Sequence, residues 1–387
     1  MDYVASLDMG SETMVMALAE VSAGRVRVLG VERAPSGGIE RGRVKNEARA
    51  RDAVERLLAT FRQKHGMDID RLRVALPMTW LKRLAVEKTT RFPAPRPVTG
   101  AHLLALEKQA RAAMTDNDRA VVSILPRSIV VDGEPAQDPT GGAPAGRLDV
   151  EYALYSARDS EMEGARAWLG QAGIKEVDFY SMVEAMSRAL IARQGGTRDA
   201  ALVDLGADST RVLVFQRGLV VRDAELPLGC RSIDEDLNRV FKIESMEKAR
   251  RLKHEFGAAI RIMKKDRKII IPETNYSIHL NALLQVEQCR LEELIEGALF
   301  QVQQSGCYNK LPGGILLTGG GSRVEGVETL TAKLSGHPAR QAVAEGVPSA
   351  GEWAREPGYL TALGLLACAG KAPARSPGLK DWLGKFF

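Results

Sequence analysis

Two stretches of this chain share one pattern, and that pattern restricts the fold more than any other feature. From Asp199 to Leu226, three apolar runs (Ala201 to Val203, Val212 to Phe215, Leu219 to Val221) are separated by a Gly-Ala-Asp-Ser-Thr turn and a Gln-Arg-Gly turn. This predicts an antiparallel strand meander. The first turn opens on an acid, Asp204, and continues through Gly206, Ser209 and Thr210. Small residues there let backbone N–H groups face an anion while the hydroxyls donate as well. A carboxylate beside such a turn suits a hydrated Mg²⁺ better than a bare phosphate, which it repels. The same pattern stands at the beginning of the chain. Tyr3 to Leu7 reads as a strand, Asp8-Met-Gly10-Ser11 as an acid-led turn, and Met14 to Val21 and Val26 to Val31 as further strands. Two such units about one domain apart predict a duplicated fold with nucleotide phosphates between its halves. A third element runs from Gly314 into Thr318-Gly319-Gly320-Gly321, where a ligand ring can approach the backbone with no Cβ in the way. An Asp-x-Gly hairpin or a glycine triplet by itself is commonplace. The order of the three is what is informative.

With 387 residues, 45% of them hydrophobic, the chain can bury large cores, and its length predicts two or more domains. A net charge of +5, from 54 basic against 49 acidic residues, is too small to be a nucleic-acid footprint. Cys230, Cys289, Cys307 and Cys368 form no Cys-x-x-Cys pair, so reduced thiols in a cytosolic protein are expected. The N-terminus opens directly into a strand, without the pattern of a secretory signal. No uncharged apolar run reaches the roughly 18 residues that span a bilayer.

Spacing predicts helices over 46–64, 99–114 and 160–173, then a strand leading into a helix over 177–194, and helices over 231–240, 244–256 and 281–305. Short strands are expected at 72–76, 120–131, 147–155, 269–272 and 276–280. Three prolines between Phe92 and Pro97 are expected to break any regular element. Residues 83–160 read as a small α+β unit with nothing catalytic in it.

In its order of motifs the chain resembles the actin/Hsp70/sugar-kinase superfamily, and more closely the bacterial cell-division family FtsA. The likeness extends over nearly the whole length. It includes Gly37 to Val44, Leu125 to Gly133, Asp138 to Gly141, Gly146 to Val150, Val183 to Leu190, Leu226 to Gly229, Asp234 to Leu237, Leu252 to Gly257, Tyr359 to Leu366 and, most distinctively, Gly378 to Phe387. It implies an α/β fold of the actin-like (ribonuclease H-like) duplicated two-lobe type, with a family-specific inserted subdomain and a C-terminal amphipathic helix. The implied divisions are 1–82 with 161–195, the insertion 83–160, 196–226 with 310–369, a nucleoside- and partner-binding subdomain 227–309, a linker 370–378 and a membrane-targeting helix 379–387. ATP with Mg²⁺ is the implied cofactor. Its ligands would be Asp8, Gly10, Ser11, Gly206, Ser209, Thr210, Lys253, Gly319, Gly320 and Gly321, with Asp8 and Asp204 on the metal, and with Glu184 and Asp204 as catalytic residues. The implied partners are further copies of the chain in a filament, the C-terminal peptide of the tubulin homologue FtsZ, other division proteins at the insertion, and anionic lipid. Nucleic acid is not among them.

The last residues carry their own signal. Leu379, Trp382, Leu383, Phe386 and Phe387 fall on one side of a helix behind a Gly/Ala/Pro/Ser linker. That composition is typical of a helix lying in a membrane interface, and the implied location is the cytoplasmic face of the membrane at midcell.

The chain also departs from the family. The first turn lacks the family's phosphate-gripping lysine. The second, Asp204-Leu-Gly-Ala-Asp-Ser-Thr-Arg211, loses two glycines and gains Asp208. Arg250 replaces a glutamate on the nucleoside side. ATP binding with slow hydrolysis, or none, is therefore expected. Two competitors share the fold: a sugar or acid kinase, for which no general base with a substrate pocket is identifiable, and a pilus- or secretion-assembly adaptor, which would need no lipid-binding tail.

Overall fold

The apolar runs of the first stretch fold as three antiparallel strands, β1 (Asp2–Met9), β2 (Thr13–Ser22) and β3 (Arg25–Pro35), with Asp8 opposite Val15 and Thr13 opposite Pro35. The structure is a computed structural model that describes residues 2–22, 25–136, 138–140, 142–191, 199–261, 264–272 and 274–368. A small hairpin, β4 (Ile39–Glu40) and β5 (Arg43–Val44), leads to α1 (Glu47–His65). The boundaries of α1 follow from its end residues. The Asn46 side chain accepts from the Arg49 N–H at the start, and Gly66, at φ +63°, closes the end in the left-handed region that glycine tolerates. Its buried stripe, Ala50, Ala53, Val54, Leu57 and Phe61, packs into one core with Met16, Leu72, Val74 and Trp168. The crossover through α1 lets β6 (Arg71–Leu76) join β1 in parallel.

Residues 82–158 carry a separate sheet. Its members are β7 (Lys82–Arg96), β8 (Arg119–Val131), β9 (Glu134–Pro135) and β10 (Ala145–Arg158), in the order β7-β10-β8-β9, with α2 (Gly100–Arg111) against it. Two of the prolines expected to break regular structure, Pro93 and Pro95, lie inside β7. They are accommodated because β7 is an edge strand whose register with β10 jumps between Arg91 and Arg96. Thr99 and His102 close a capping box at the start of α2, and the Tyr152 hydroxyl on β10 donates to the Leu103 carbonyl at 3.3 Å.

Helix α3 (Asp159–Gln171) returns the chain to β11 (Glu176–Ser181), which pairs in parallel with β6. The first large sheet therefore has the order β3-β2-β1-β6-β11. Helix α4 (Met182–Leu190) follows β11 directly. Far along the sequence, α9 (Leu360–Ala367) packs on α4 at glycine distance: a Cβ on Gly364 would overlap the Ala185 carbonyl oxygen, and one on Gly346 the Arg188 carbonyl oxygen. The Ser6 hydroxyl donates to Ala362 O at 2.7 Å. Arg73, buried on β6, donates from Nη1 to Leu366 O at 2.9 Å and to Leu365 O, which also accepts from the Cys368 N–H, at 3.3 Å, tying down the last carbonyls of the helix.

The second large sheet repeats the first. Strands β12 (Ala200–Leu205), β13 (Thr210–Gln216) and β14 (Leu219–Leu226) form the meander, and β17 (Ile315–Thr318) and β18 (Ala339–Gln341) extend it in parallel, giving β14-β13-β12-β17-β18. The helices are α5 (Arg231–Phe241), α6 (Met246–Phe256), α7 (Leu280–Gln303) and α8 (Val327–Ser335), and a hairpin joins β15 (Lys268–Ile270) to β16 (Ser277–His279). The chain divides into two compact units, one of Met1–Arg198, Phe215–Arg222 and Val343–Phe387, the other of Asp199–Val214 and Asp223–Ala342. Among the described residues no helix is long and apolar enough to cross a membrane. The expected linker 370–378 and tail helix, with Leu379, Trp382, Leu383, Phe386 and Phe387, lie outside the described residues.

Candidate functional site

Each acid-led turn follows the first strand of its meander, and the two turns are built alike. Asp8 is the next-to-last residue of β1, two before Gly10, and Asp204 is the next-to-last residue of β12, two before Gly206. A Cβ on Gly10 would lie 2.6 Å from Thr13 O, and one on Gly206 would lie 2.7 Å from Ser209 O. The same close approach three residues on requires glycine in both places. In the first turn the Ser36 hydroxyl donates to Gly10 O and the Ser36 N–H to Glu12 O at 3.1 Å, which pins the backbone around Ser11.

The second turn is held from two sides. Gly206 N–H donates to Ser209 O at 3.1 Å, while Gly206 O and Ala207 O accept from the N–H groups of Cys230 and Arg231, each at 2.8 Å. The Thr210 hydroxyl donates to Leu228 O at 2.9 Å, so this expected phosphate contact is spent on the fold. Gly229 lies directly under the turn, where a Cβ would come 2.5 Å from Ala207 O and 2.6 Å from Ser209 N. Asp208, the carboxylate the family lacks, pairs with Arg231 Nε at 2.5 Å. Asp204 Oδ2 accepts from Arg211 Nη1 at 2.9 Å, and Arg211 Nε reaches Glu225 Oε1 at 3.0 Å.

The glycine triplet follows β17, whose Thr318 lies opposite Asp204. Its three members differ. Gly319, at φ +79°, has no room for a Cβ, which would overlap Asp204 Oδ1, and a Cβ on Gly321 would overlap Cys230 Sγ. Gly320 alone faces open space. The close approach expected for a ligand ring is thus available at Gly320, while its neighbours are fitted to the acid turn. The remaining expected contact, Lys253 on α6, pairs through Nζ with Asp234 Oδ1 at 2.6 Å and donates to Cys230 O at 3.2 Å. Arg250 Nε lies 3.7 Å from the other oxygen of Asp234. Burial pushes the Cys230 thiol up to about 12, so it is no thiolate nucleophile.

In the first unit, Glu184 stands in the first turn of α4 behind its cap Ser181, and Arg188 Nη2 donates to its Oε1 at 3.2 Å. A carboxylate expected to orient water is thus already partnered one helical turn away.

One buried acid was not signalled by the sequence. Glu287 on α7 is fully buried; its Oε2 accepts from Ala258 N–H at 3.1 Å, its Oε1 has no partner, and Gly257 is the only residue type its carboxylate tolerates alongside. Burial raises its pKa to about 7, against the opposing pull of Lys253. The fold therefore favours the protonated form. Stability from this group is complete below its ordinary value of 4.5 and is lost as pH rises to about 7. At about 1.4 kcal/mol per unit the loss is of order 3 kcal/mol. Glu287→Gln is expected to flatten that slope and to raise the urea midpoint above neutrality. An unchanged pH profile would show that Glu287 does not titrate there.

A protein-family model described as cell division protein FtsA matches residues 201–364. The cell division protein FtsA of Borreliella burgdorferi is 23% identical over 383 residues, covering 94% of this chain and 90% of its own length. FtsA of Bacillus subtilis is 23% identical over 373 residues, with coverage of 94% and 82%. Among solved structures, a chain of a PilM–PilN type IV pilus biogenesis complex superposes with a TM-score of 0.63 at 17% identity, covering 94% of this chain and 97% of that one. MreB5 of Spiroplasma citri bound to ADP gives a TM-score of 0.50 at 10% identity, with coverage of 90% and 93%. At such identities these two likenesses speak for the fold alone. The chain is thus similar in sequence to bacterial cell-division FtsA proteins over most of its length, and its repeated sheet with two acid-led turns is the actin-like α/β fold.

Proposed function

We propose that the chain is an actin-like scaffold of bacterial cell division. It binds ATP, assembles with copies of itself, and holds an FtsZ-like tubulin homologue at the inner face of the membrane. The observation that carries the nucleotide part is the meeting of the Asp204 turn with the glycine triplet, which leaves Gly320 open beside it. The MreB5 structure with ADP supports the same reading. The residues we assign to the nucleotide are Asp8, Gly10, Ser11, Gly206, Ser209, Lys253 and Gly320. Mg²⁺ would accompany the phosphates from the Asp8 side. Turnover is slow or absent, since Glu184 is engaged by Arg188.

Support for a peptide partner comes from residues 227–309. On the β15–β16 hairpin, Lys268 and the large apolar side chains of Ile270 and Tyr276 are exposed, with Lys265 and Arg267 exposed just before it. This combination suits an acidic peptide with apolar anchors. Membrane attachment is assigned to Leu379, Trp382, Leu383, Phe386 and Phe387. Five such side chains contribute about 10 kcal/mol gross, but nine residues must be ordered on binding, which leaves a single copy weakly attached. Many copies in a filament attach firmly through effective concentration.

The deciding experiment is co-sedimentation with anionic vesicles, with and without ATP, using the full chain and a truncation lacking residues 379–387. Loss of pelleting on truncation is expected. Equal pelleting of both forms would end the tether reading. The TM-score of 0.63 to a PilM–PilN chain favours a second reading, an assembly adaptor of the same fold, which predicts that the full chain does not bind vesicles by itself.

A further inference from the structure

The feature that the nucleotide reading leaves unexplained is the cation already present in the second turn. An acid-led turn of this kind holds Asp204 in position for a divalent ion, yet one of its oxygens is ion-paired and the other is crowded by backbone. Oδ2 accepts from Arg211 Nη1 at 2.9 Å, and Oδ1 packs so closely on Gly319 that not even a methyl group fits between them. Arg211 is in turn fixed by Glu225 at 3.0 Å, and the three side chains are 8%, 14% and 12% exposed. The turn's other carboxylate, Asp208, is taken by Arg231 at 2.5 Å. Mg²⁺ demands near-ideal octahedral oxygen ligands at about 2.0–2.1 Å and gives up water reluctantly. To reach Asp204 it would have to expel a guanidinium and leave Glu225, whose side chain is 12% exposed, without its partner, which disfavours a largely desolvated charge. A guanidinium does not deprotonate in proteins, so this cation is permanent.

We propose that Arg211 is the resident cation of the second acid turn, standing where a divalent ion would otherwise bind, so that Asp204 is a partner of Arg211 and not a metal ligand. This rests on the nucleotide reading above and refines it: whatever nucleotide the chain takes, its affinity does not depend on a metal held by Asp204. The guanidinium is too well pinned to follow charge that moves during phosphoryl transfer, which accounts for a chain that binds a nucleotide without consuming it.

The test uses the full chain and two readouts. ATP and ADP are titrated calorimetrically in EDTA and in excess Mg²⁺, and Mn²⁺ alone is followed by its EPR signal. Whatever ratio separates the affinities in EDTA and in Mg²⁺ for the native chain is expected to persist within about threefold in Asp204→Asn, and no bound Mn²⁺ should depend on Asp204. Arg211→Gln is expected to create a Mn²⁺ site that the added change Asp204→Asn removes. Arg211→Lys, which keeps the charge, should leave Mn²⁺ out, and it serves if the glutamine variant fails to fold. A Mg²⁺ dependence of about tenfold or more that Asp204→Asn abolishes would overturn the proposal. So would native Mn²⁺ binding lost in that variant. If neither nucleotide binds in either buffer, the nucleotide reading falls, and the Mn²⁺ measurement still judges Arg211.

Discussion

Gly364→Ala is expected to cost at least about 3 kcal/mol, at or beyond the upper end of the usual range for overpacking a core. The reason is what the added methyl would meet. It would overlap the Ala185 carbonyl oxygen, lie 2.6 Å from the carbonyl carbon, and sit 3.1 Å from the Ala189 methyl. These are backbone and Cβ atoms of α4, and no rotamer change moves them. The helices would have to separate, yet α9 is held by Ser6 at Ala362 and by Arg73 at Leu365 and Leu366, and α4 is wedged again by Gly346. Both helices are buried almost throughout, so separation opens voids on every side. Urea unfolding measures the effect, and a native midpoint would show that the α4–α9 contact yields more easily than its geometry implies.

Gly319→Ala is the second large effect, and it strikes stability and ligand together. At φ +79° and ψ 175°, a region almost confined to glycine, an alanine carries a conformational penalty of roughly 1–3 kcal/mol. Its methyl would also overlap Asp204 Oδ1 and come within 2.8 Å of Leu205 O. Relief requires Asp204 to move off Arg211, which disorders the turn we assign to the nucleotide. Loss of several kcal/mol and of measurable ATP binding is expected from unfolding curves and calorimetry. Gly320→Ala, one residue on, meets nothing within 4 Å and should unfold like the native chain. Equal behaviour of the two variants would remove the distinction drawn between these glycines.

That distinction marks where sequence reading stops. The triplet Gly319 to Gly321 reads as one permissive loop, but two members are there because Asp204, Leu205 and Cys230 crowd them, and crowding between distant segments leaves no local trace. Elements with strong punctuation were legible. Asn46 and Gly66 place the ends of α1 within a residue of the spacing estimate, and the three apolar runs of 201–221 became β12, β13 and β14. Those strands extend further than their apolar runs, through Arg211 and to Leu226, because the added polar residues carry the ion pairs of the turn. Strand β7 was missed because its prolines argue against a strand unless its edge position is known. Glu287 was missed too, since an acid inside an apolar helical stripe gives no sign of which way it points.

The clasp of Arg73 on the end of α9 has a mechanical meaning. A pull applied at Cys368 enters the first unit through this helix. Its last carbonyls are tied to β6, and β6 is paired on both sides, to β1 and β11. Tension would be spread as shear across parallel strands in the middle of a sheet, where many hydrogen bonds must break at once, and not peeled from an edge one bond at a time. A tug at Cys368 would thus load β1, β6 and β11 together, with no free strand end of that group taking the strain alone.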